Sequence, residues 1–333
     1  MRSRILSTGI YTPKKVVTNK DLESMMDTSD EWIQQRSGIE KRHWVSEGET
    51  TLSMATHASK EAIEKAGIDV DDIDMVIFTS LMTDYIFPGT GVLLQDSLGF
   101  KEHVPALDTR NQCTGFLYSL SVADAWVRSG MYKRVLVCAS EIHSTSMDKT
   151  TNGRDISVLF GDAAAACIIE AVDESSESQL IDHKLYSQGK HADKLILKKP
   201  TPNDLRGRIH EGILDESDIW PYMDGKFVFK NAVTRMPQAM KALCEKNSVQ
   251  LSDIDFVIAH QANLRINNMV LEHLGIPPEK THNTLDRYGN TTACTIPLTL
   301  DEAVREGKIK RGDLVAFVAF GSGFTWGASL LRY

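Results

Sequence analysis

A chain of 333 residues, 42% hydrophobic and 25% charged, can bury the core of one large or two ordinary domains, which excludes a disordered chain. Its net charge of −8 excludes general nucleic-acid binding, and five cysteines without a C-x-x-C pair or paired histidines exclude a disulfide framework and a structural zinc site. The N-terminal MRSRILSTGIYTP lacks a sustained apolar stretch and no internal apolar run is long enough to span a bilayer, so a cytoplasmic protein with no membrane partner is expected.

In chain order, a helical pattern SMATHASKEAIEKAG (Ser53 to Gly67) leads into the apolar strand MVIFTS (Met75 to Ser80). A second helix, GFLYSLSVADAWVRSG (Gly115 to Gly130), leads into RVLVCAS (Arg134 to Ser140), and ACIIE follows at Ala166. Beyond the polar DESSESQ come the helix AVTRMPQAMKALCEK (Ala232 to Lys246) and the strands FVIAHQ (Phe256 to Gln261) and LVAFVAF (Leu314 to Phe320). Short β-branched runs alternating with longer helical periods mark an α/β protein of layered sheets and helices.

The chain also repeats itself. IEKAGIDVDDIDMVIFTS and CEKNSVQLSDIDFVIAHQ share the order helix end, acidic turn, apolar strand, with Asp72 and Asp253 lying 181 residues apart. SGMYKRVLVCAS and KIKRGDLVAFVAF are also parallel, and pairing Lys133 with Lys310 gives an offset of 177. A period this long predicts two similar halves packed together rather than a solenoid. The expected division is residues 1–172, a connecting or cap segment 173–220, and residues 221–333. The two offsets match Thr79 with His260 and Cys113 with Asn290, so polar residues at strand ends and helix starts are expected to converge between the halves.

Of the five cysteines, Cys138, Cys167 and Cys294 sit among small or apolar neighbours and read as packing thiols. Cys113, in DTRNQCTGFLYSL, stands where a polar loop gives way to a helix. A helix start favours a thiolate through its unpaired N–H groups and partial positive charge. A contribution of up to about 2 kcal/mol lowers a thiol pKa of about 8.5 by roughly 1.5 units, so a depressed value is expected at Cys113. His260, with His143 in ASEIHS as its nearest rival, and Asn290 in RYGNTT each have an ordinary structural reading, as a core histidine or a turn residue.

Taken together, HQANLRI, RYGNTT, FGSGFTWG and the sequence around Cys113 closely resemble the β-ketoacyl-acyl-carrier-protein synthase III family, the initiating condensing enzymes of bacterial fatty acid synthesis. The resemblance is collinear from SRILSTGIYTPKKVVTN and DEWIQQRSGI to FGSGFTWGASLLRY, with a longer region from about Asp173 to Pro221. It implies a thiolase-like fold of two duplicated halves in an α-β-α-β-α arrangement, and a Cys113, His260, Asn290 triad. Cys113 would take the acyl group from an acyl-CoA primer, acetyl or another short chain. His260 and Asn290 would donate hydrogen bonds to the thioester carbonyl of malonyl-acyl carrier protein and stabilise the enolate left by decarboxylation. The backbone N–H groups of Cys113 and Ser322 would form the oxyanion hole.

The same resemblance implies that Trp32 and Arg154 hold the adenine of CoA, that Arg36 contacts phosphate, and that Phe87 in YIFPGTG reaches across a homodimer interface to limit the acyl pocket. Lys230, Arg235 and Arg265 would dock the acidic carrier protein, although VLEHLG has Glu272 and His273 where members of the family are often basic. No permanently bound cofactor and no metal are implied; acyl-CoA is a substrate. Primer length and branching stay open, as does a specialised relative that uses a longer or branched acyl group or transfers it without condensation.

Other classes fit less well. Papain-like hydrolases also run Cys, His, Asn, with His roughly 130 to 150 residues after Cys, and here the spacing is 147. Cys113 is far from the N-terminus, however, and NQCTGF is not the hydrolase signature. GSGFTWG contains G-x-G, but too little chain follows for a dinucleotide-binding βαβ unit. A non-catalytic acyl-CoA binder would have no use for an intact triad. A degradative thiolase would carry a second cysteine in the C-terminal Gly-rich turn, and an elongating synthase a histidine at Asn290.

Overall fold

The computed structural model describes residues 1–199 and 219–333. The first sheet is built from β1 (Arg2–Tyr11), β2 (Met75–Thr79), β3 (Ala106–Thr109), β4 (Arg134–Glu141) and β5 (Ala163–Val172) in the order β1-β5-β4-β2-β3. The second contains β6 (Gln179–Ser187), β7 (Phe256–Ala259), β8 (Leu314–Gly321) and β9 (Thr325–Arg332) in the order β7-β8-β9-β6. Read from the opposite edge, the second sheet repeats the first: β6 takes the place of β1, β9 of β5, β8 of β4 and β7 of β2. Directions match as well, since β2 is parallel to β4 and β7 to β8, and the other two pairings of each set are antiparallel.

Seven helices matter to the site and its surroundings: α1 (Asp30–Ser37), α2 (Thr51–Ala66), α3 (Thr90–Ser97), α4 (Gly115–Arg128), α5 (Gly225–Lys246), α6 (Leu264–Leu274) and α7 (Thr295–Arg305). Helix α2 starts on a capping box between Thr50 and Ser53 and stops at Gly67, whose φ of 65° suits a residue without Cβ. Phe116, Leu120 and Val127 of α4 and Ile296 and Leu300 of α7 share one buried cluster with Ile77 and Val137 of the first sheet and Ile258 and Phe317 of the second. These two helices are therefore the filling between the sheets. Helix α2 covers the outer face of the first sheet through Met54, Ala58 and Ala62, while α5 and α6 cover that of the second through Met240, Leu243 and Val270. This gives the α-β-α-β-α order. Strands buried on both faces explain why MVIFT and LVAFVAF are unbroken apolar runs rather than alternating ones.

Two expectations are revised. The segment 173–220 is not solely a connector or cap, because Gln179–Ser187 hydrogen bonds along β9 as the edge strand of the second sheet; residues 200–218 of that segment lie outside the described residues. The repeat is also displaced from the 177 offset. Asp74 N–H bonds the carbonyl of Arg134 and Asp255 N–H that of Leu314, each at 2.9 Å, which matches Arg134 with Leu314. Gln112 and Thr292 share left-handed backbone, with φ of 47° and 53°, and each begins the single 3-10 turn before a central helix. Cys113 thus corresponds to Ala293 rather than Asn290. Lysines in an exposed turn carry no register, whereas strand ends do.

Candidate active site

Cys113 lies in the 3-10 turn Gln112–Thr114 that runs into α4. The turn sits close against both halves: a Cβ on Gly115 would meet Thr79 Oγ1 at 2.3 Å, and one on Gly321 would meet Cys113 Cβ at 2.8 Å and its backbone N at 3.2 Å. Glycine at 321 lets the end of β8 approach the cysteine. Thr114 Oγ1 is also 2.8 Å from Thr325 Oγ1, which fastens the turn to β9.

Cys113 is only partly covered by area, and it lines a cavity open to solvent. Burial and the nearby Glu141 carboxylate push its thiol up to about 12, while the backbone N–H groups of Cys113 and Ser322, which both interact with the sulfur, pull the other way. The expected depression of this thiol is therefore corrected: desolvation outweighs the two N–H groups, and the thiol stands above its ordinary value. The two N–H groups are where sequence reading put the oxyanion hole.

Glu141, at the end of β4, is completely buried. Its Oε2 accepts from Leu81 N at 2.9 Å and from Ser80 Oγ at 3.3 Å, and Oε1 has no partner. Burial raises its carboxyl to about 8 against those hydrogen bonds.

His260 and Asn290 are both buried, His260 tied to Thr295 at the start of α7 and Asn290 to the turn Thr292–Cys294 just before it. His260 Nδ1 is 2.7 Å from Thr295 Oγ1, and burial pushes its imidazole down to about 3, so it is neutral. Asn290 Oδ1 accepts from Thr292 N–H at 2.9 Å, which leaves the NH₂ end of the amide as the donor. Its backbone is held by the other half: Asn290 N–H bonds Leu159 O at 2.8 Å and Gly161 N–H bonds Asn290 O at 3.1 Å. His143, the rival histidine, is buried with Nε2 2.6 Å from Thr292 Oγ1. Burial lowers its pKa and the Asp162 charge opposes this.

Cys113, Thr292, His143, Ser322 and Phe160 share the wall of one cavity of about 750 Å³. Leu195, Leu197 and Met223 belong to the same wall. Trp32 and its neighbours lie outside this lining: the guanidinium of Arg36 is 4.1 Å and that of Arg154 5.2 Å from the Trp32 ring centroid. The two sites connect through the short helix Arg154–Ser157, whose Ile156 lines the cavity. Phe87 is 84% exposed and Ile86 78%, so Phe87 does not touch the cavity of its own chain.

The basic patch is only partly as expected. Lys230 and Arg265 are exposed, the latter's guanidinium 5.7 Å from the Phe229 ring. Arg235 is half-buried. It stacks on Trp326 at 4.3 Å and donates to Gln188 Oε1 at 2.7 Å and Asn231 Oδ1 at 3.0 Å. His273 instead serves the fold, with Nδ1 3.0 Å from Val233 O across the α5–α6 contact. Among the described residues one cluster, His282, Glu302 and Glu306, has metal-ligand spacing, but Arg287 and Lys308 already occupy its carboxylates at 2.9 and 2.8 Å. No helix among those residues is long and apolar enough to cross a membrane.

Two copies of one sheet enclosing a pair of helices, with reactive side chains at the helix starts, make this a thiolase-like condensing enzyme, a fold it shares with the 3-oxoacyl-[acyl-carrier-protein] synthase III of Aquifex aeolicus at a TM-score of 0.90. That structure is 39% identical and the match covers 99% of this chain and all of the other. Models for 3-oxoacyl-[acyl-carrier-protein] synthase III and for its C-terminal part match residues 107–189 and 244–333. The β-ketoacyl-[acyl-carrier-protein] synthase III 1 of Vibrio parahaemolyticus is 43% identical over 333 residues, covering both chains completely, and the synthase III of Methylococcus capsulatus is 41% identical over 99% of each. The chain belongs to the 3-oxoacyl-[acyl-carrier-protein] synthase III family of acyl-transferring condensing enzymes.

Proposed function

We propose that this chain joins an acyl-CoA primer to malonyl-acyl carrier protein by decarboxylative Claisen condensation, the initiating step of fatty acid synthesis. The observation that carries the reading is the position of Cys113, at the start of a central helix on the cavity wall with the Gly321–Ser322 turn of the other half packed against it. In the first half-reaction the sulfur attacks the thioester carbonyl, the C–S bond to CoA breaks, and the thiol proton ends on the departing CoA sulfur. In the second, malonyl-carrier protein loses carbon dioxide. The enolate attacks the acyl-Cys113 carbonyl and expels the Cys113 sulfur, which regains a proton, giving 3-oxoacyl carrier protein. The half formed by residues 1–172 supplies the nucleophile and that of 221–333 supplies His260 and Asn290 as donors to the enolate.

Trp32 and Arg154 are suited to hold an adenine and Arg36 a phosphate, since cationic planes already flank the indole. Lys230 and Arg265 offer an acidic carrier protein its contact. The exposed Tyr85, Ile86 and Phe87 support a homodimer in which Phe87 reaches the partner's acyl pocket. The reading needs no metal or resident cofactor and belongs to a cytoplasmic setting.

The test is intact-protein mass spectrometry after incubation with acyl-CoAs of graded length, followed by malonyl-carrier protein. An acetyl adduct that is absent in Cys113→Ala, and that malonyl-carrier protein discharges as ketoacyl product, is expected. His260→Ala and Asn290→Ala should acylate and fail to condense; normal condensation by either sinks its role. An adduct formed only with longer or branched chains moves the enzyme to the specialised branch.

A further inference from the structure

A neutral imidazole has a single N–H, and donation to an enolate requires it on Nε2, because Nδ1 of His260 faces Thr295. Two networks are open to the Thr295 hydroxyl, which also has one proton. It lies 2.7 Å from His260 Nδ1 and 3.0 Å from the carbonyl of Thr292. If the proton goes to the carbonyl, the oxygen must accept from Nδ1–H and Nε2 is left with a bare lone pair. If it goes to Nδ1, the imidazole proton is forced onto Nε2.

Donation from Nε2 requires the second, and the surroundings permit it. The Thr292 carbonyl, 3.0 Å from the hydroxyl, already receives the backbone N–H of Thr295, the bond that closes the 3-10 turn, so it remains satisfied when the hydroxyl turns away. Nδ1 has no other donor among the described residues. We propose that Thr295 is a positioning residue that donates to His260 Nδ1 and thereby fixes the Nε2–H tautomer used in condensation. This rests on the reading of His260 as a hydrogen-bond donor. The same turn orients Asn290, whose Oδ1 is taken by Thr292 N–H, so one local structure sets the donor ends of both side chains. Burial supports a neutral ring, since the imidazolium, which would donate from either nitrogen, is disfavoured.

The test uses the full chain as wild type, Thr295→Val and Thr295→Ser. Nitrogen-15 NMR of histidine-labelled protein, with His260 assigned by its loss in His260→Ala, reads the tautomer directly. Wild type and Thr295→Ser should show the protonated nitrogen as Nε2. Thr295→Val should lose that preference, and its rate of condensation relative to Cys113 acylation should fall roughly tenfold, the equivalent of one neutral hydrogen bond, with KM for malonyl-carrier protein unchanged. A wild-type His260 protonated on Nδ1 overturns the proposal even if the valine variant does not fold. So does a folded valine variant that keeps both the tautomer and the rate ratio within about twofold. Failure of the donor reading looks different: His260→Ala would then condense normally whatever the tautomer.

Discussion

Replacing Gly321 by alanine tests the geometry around the nucleophile with a single methyl group. The new Cβ would lie 2.8 Å from Cys113 Cβ, where ordinary contact begins at 3.4 Å, so the end of β8 must withdraw by about 0.6 Å. The atom it meets is fixed to the backbone and cannot swing aside. The next residue is Ser322, whose N–H interacts with the sulfur, so the withdrawal acts directly on one of the two proposed oxyanion donors. Deleting such a donor costs about 10²–10³ in rate, and misplacing a reacting group by about 1 Å costs roughly 10². A displacement of this size should therefore slow acylation of Cys113 by roughly 10- to 100-fold, with overpacking removing about 1–3 kcal/mol of stability. Rapid-quench mass spectrometry at saturating acetyl-CoA gives the rate and a denaturant titration gives the stability. Acylation within about threefold of wild type in a folded Gly321→Ala protein would refute the assignment of the Ser322 N–H to the oxyanion.

Glu141→Gln removes a buried carboxyl whose pKa stands near 8 instead of 4.5. A carboxyl raised in this way loses stability as pH rises from 4.5 through 8, so the variant should lack that loss, and its acylation rate should exceed that of wild type above pH 8; denaturation and acylation at pH 6 and 9 check both. His260 is displaced in the opposite sense, from 6.5 to about 3, so the unfolded chain binds the extra proton and stability falls as pH drops below 6.5. The loss should be about 2 kcal/mol by pH 5, reduced in His260→Ala, as read by denaturant midpoints. Trp32→Ala should raise KM for acyl-CoA roughly tenfold while leaving the rate of the bound complex unchanged, since it removes a stacking surface remote from Cys113; a matching loss in kcat would contradict the remote placement.

The layered fold was legible because strands buried on both faces are unbroken apolar runs and the acidic turns before Met75 and Phe256 recur in order. Cys113 stood out for the same local reason that makes it chemically useful, a polar loop meeting a helix start. Its electrostatics were not legible, since the carboxyl that opposes the thiolate comes from Glu141 on another strand and desolvation belongs to the assembled core. The stacking of Arg235 on Trp326 was not legible, because its partner comes from the far end of the chain. Thr295 and His143 were overlooked as members of the site's hydrogen-bond network for a similar reason. The run of threonines after Asn290 is a visible signal, but it acquires meaning only when His260 and His143 arrive against it from separate strands.

The strand Gln179–Ser187 precedes the second half in sequence yet runs along Thr325–Arg332 as part of its sheet. Arg311 adds a stitch in the other direction, reaching from the second half to the carbonyls of Ile5 and Leu6 at 2.8 and 2.6 Å. Mechanically the molecule is laced rather than hinged. Swinging one half away from the other would unseat the shared central helices and break the bonds from Arg311 to Ile5 and Leu6. The way to Cys113 in such a frame is the opening of the cavity it lines, not a clam-like parting of the two sheets.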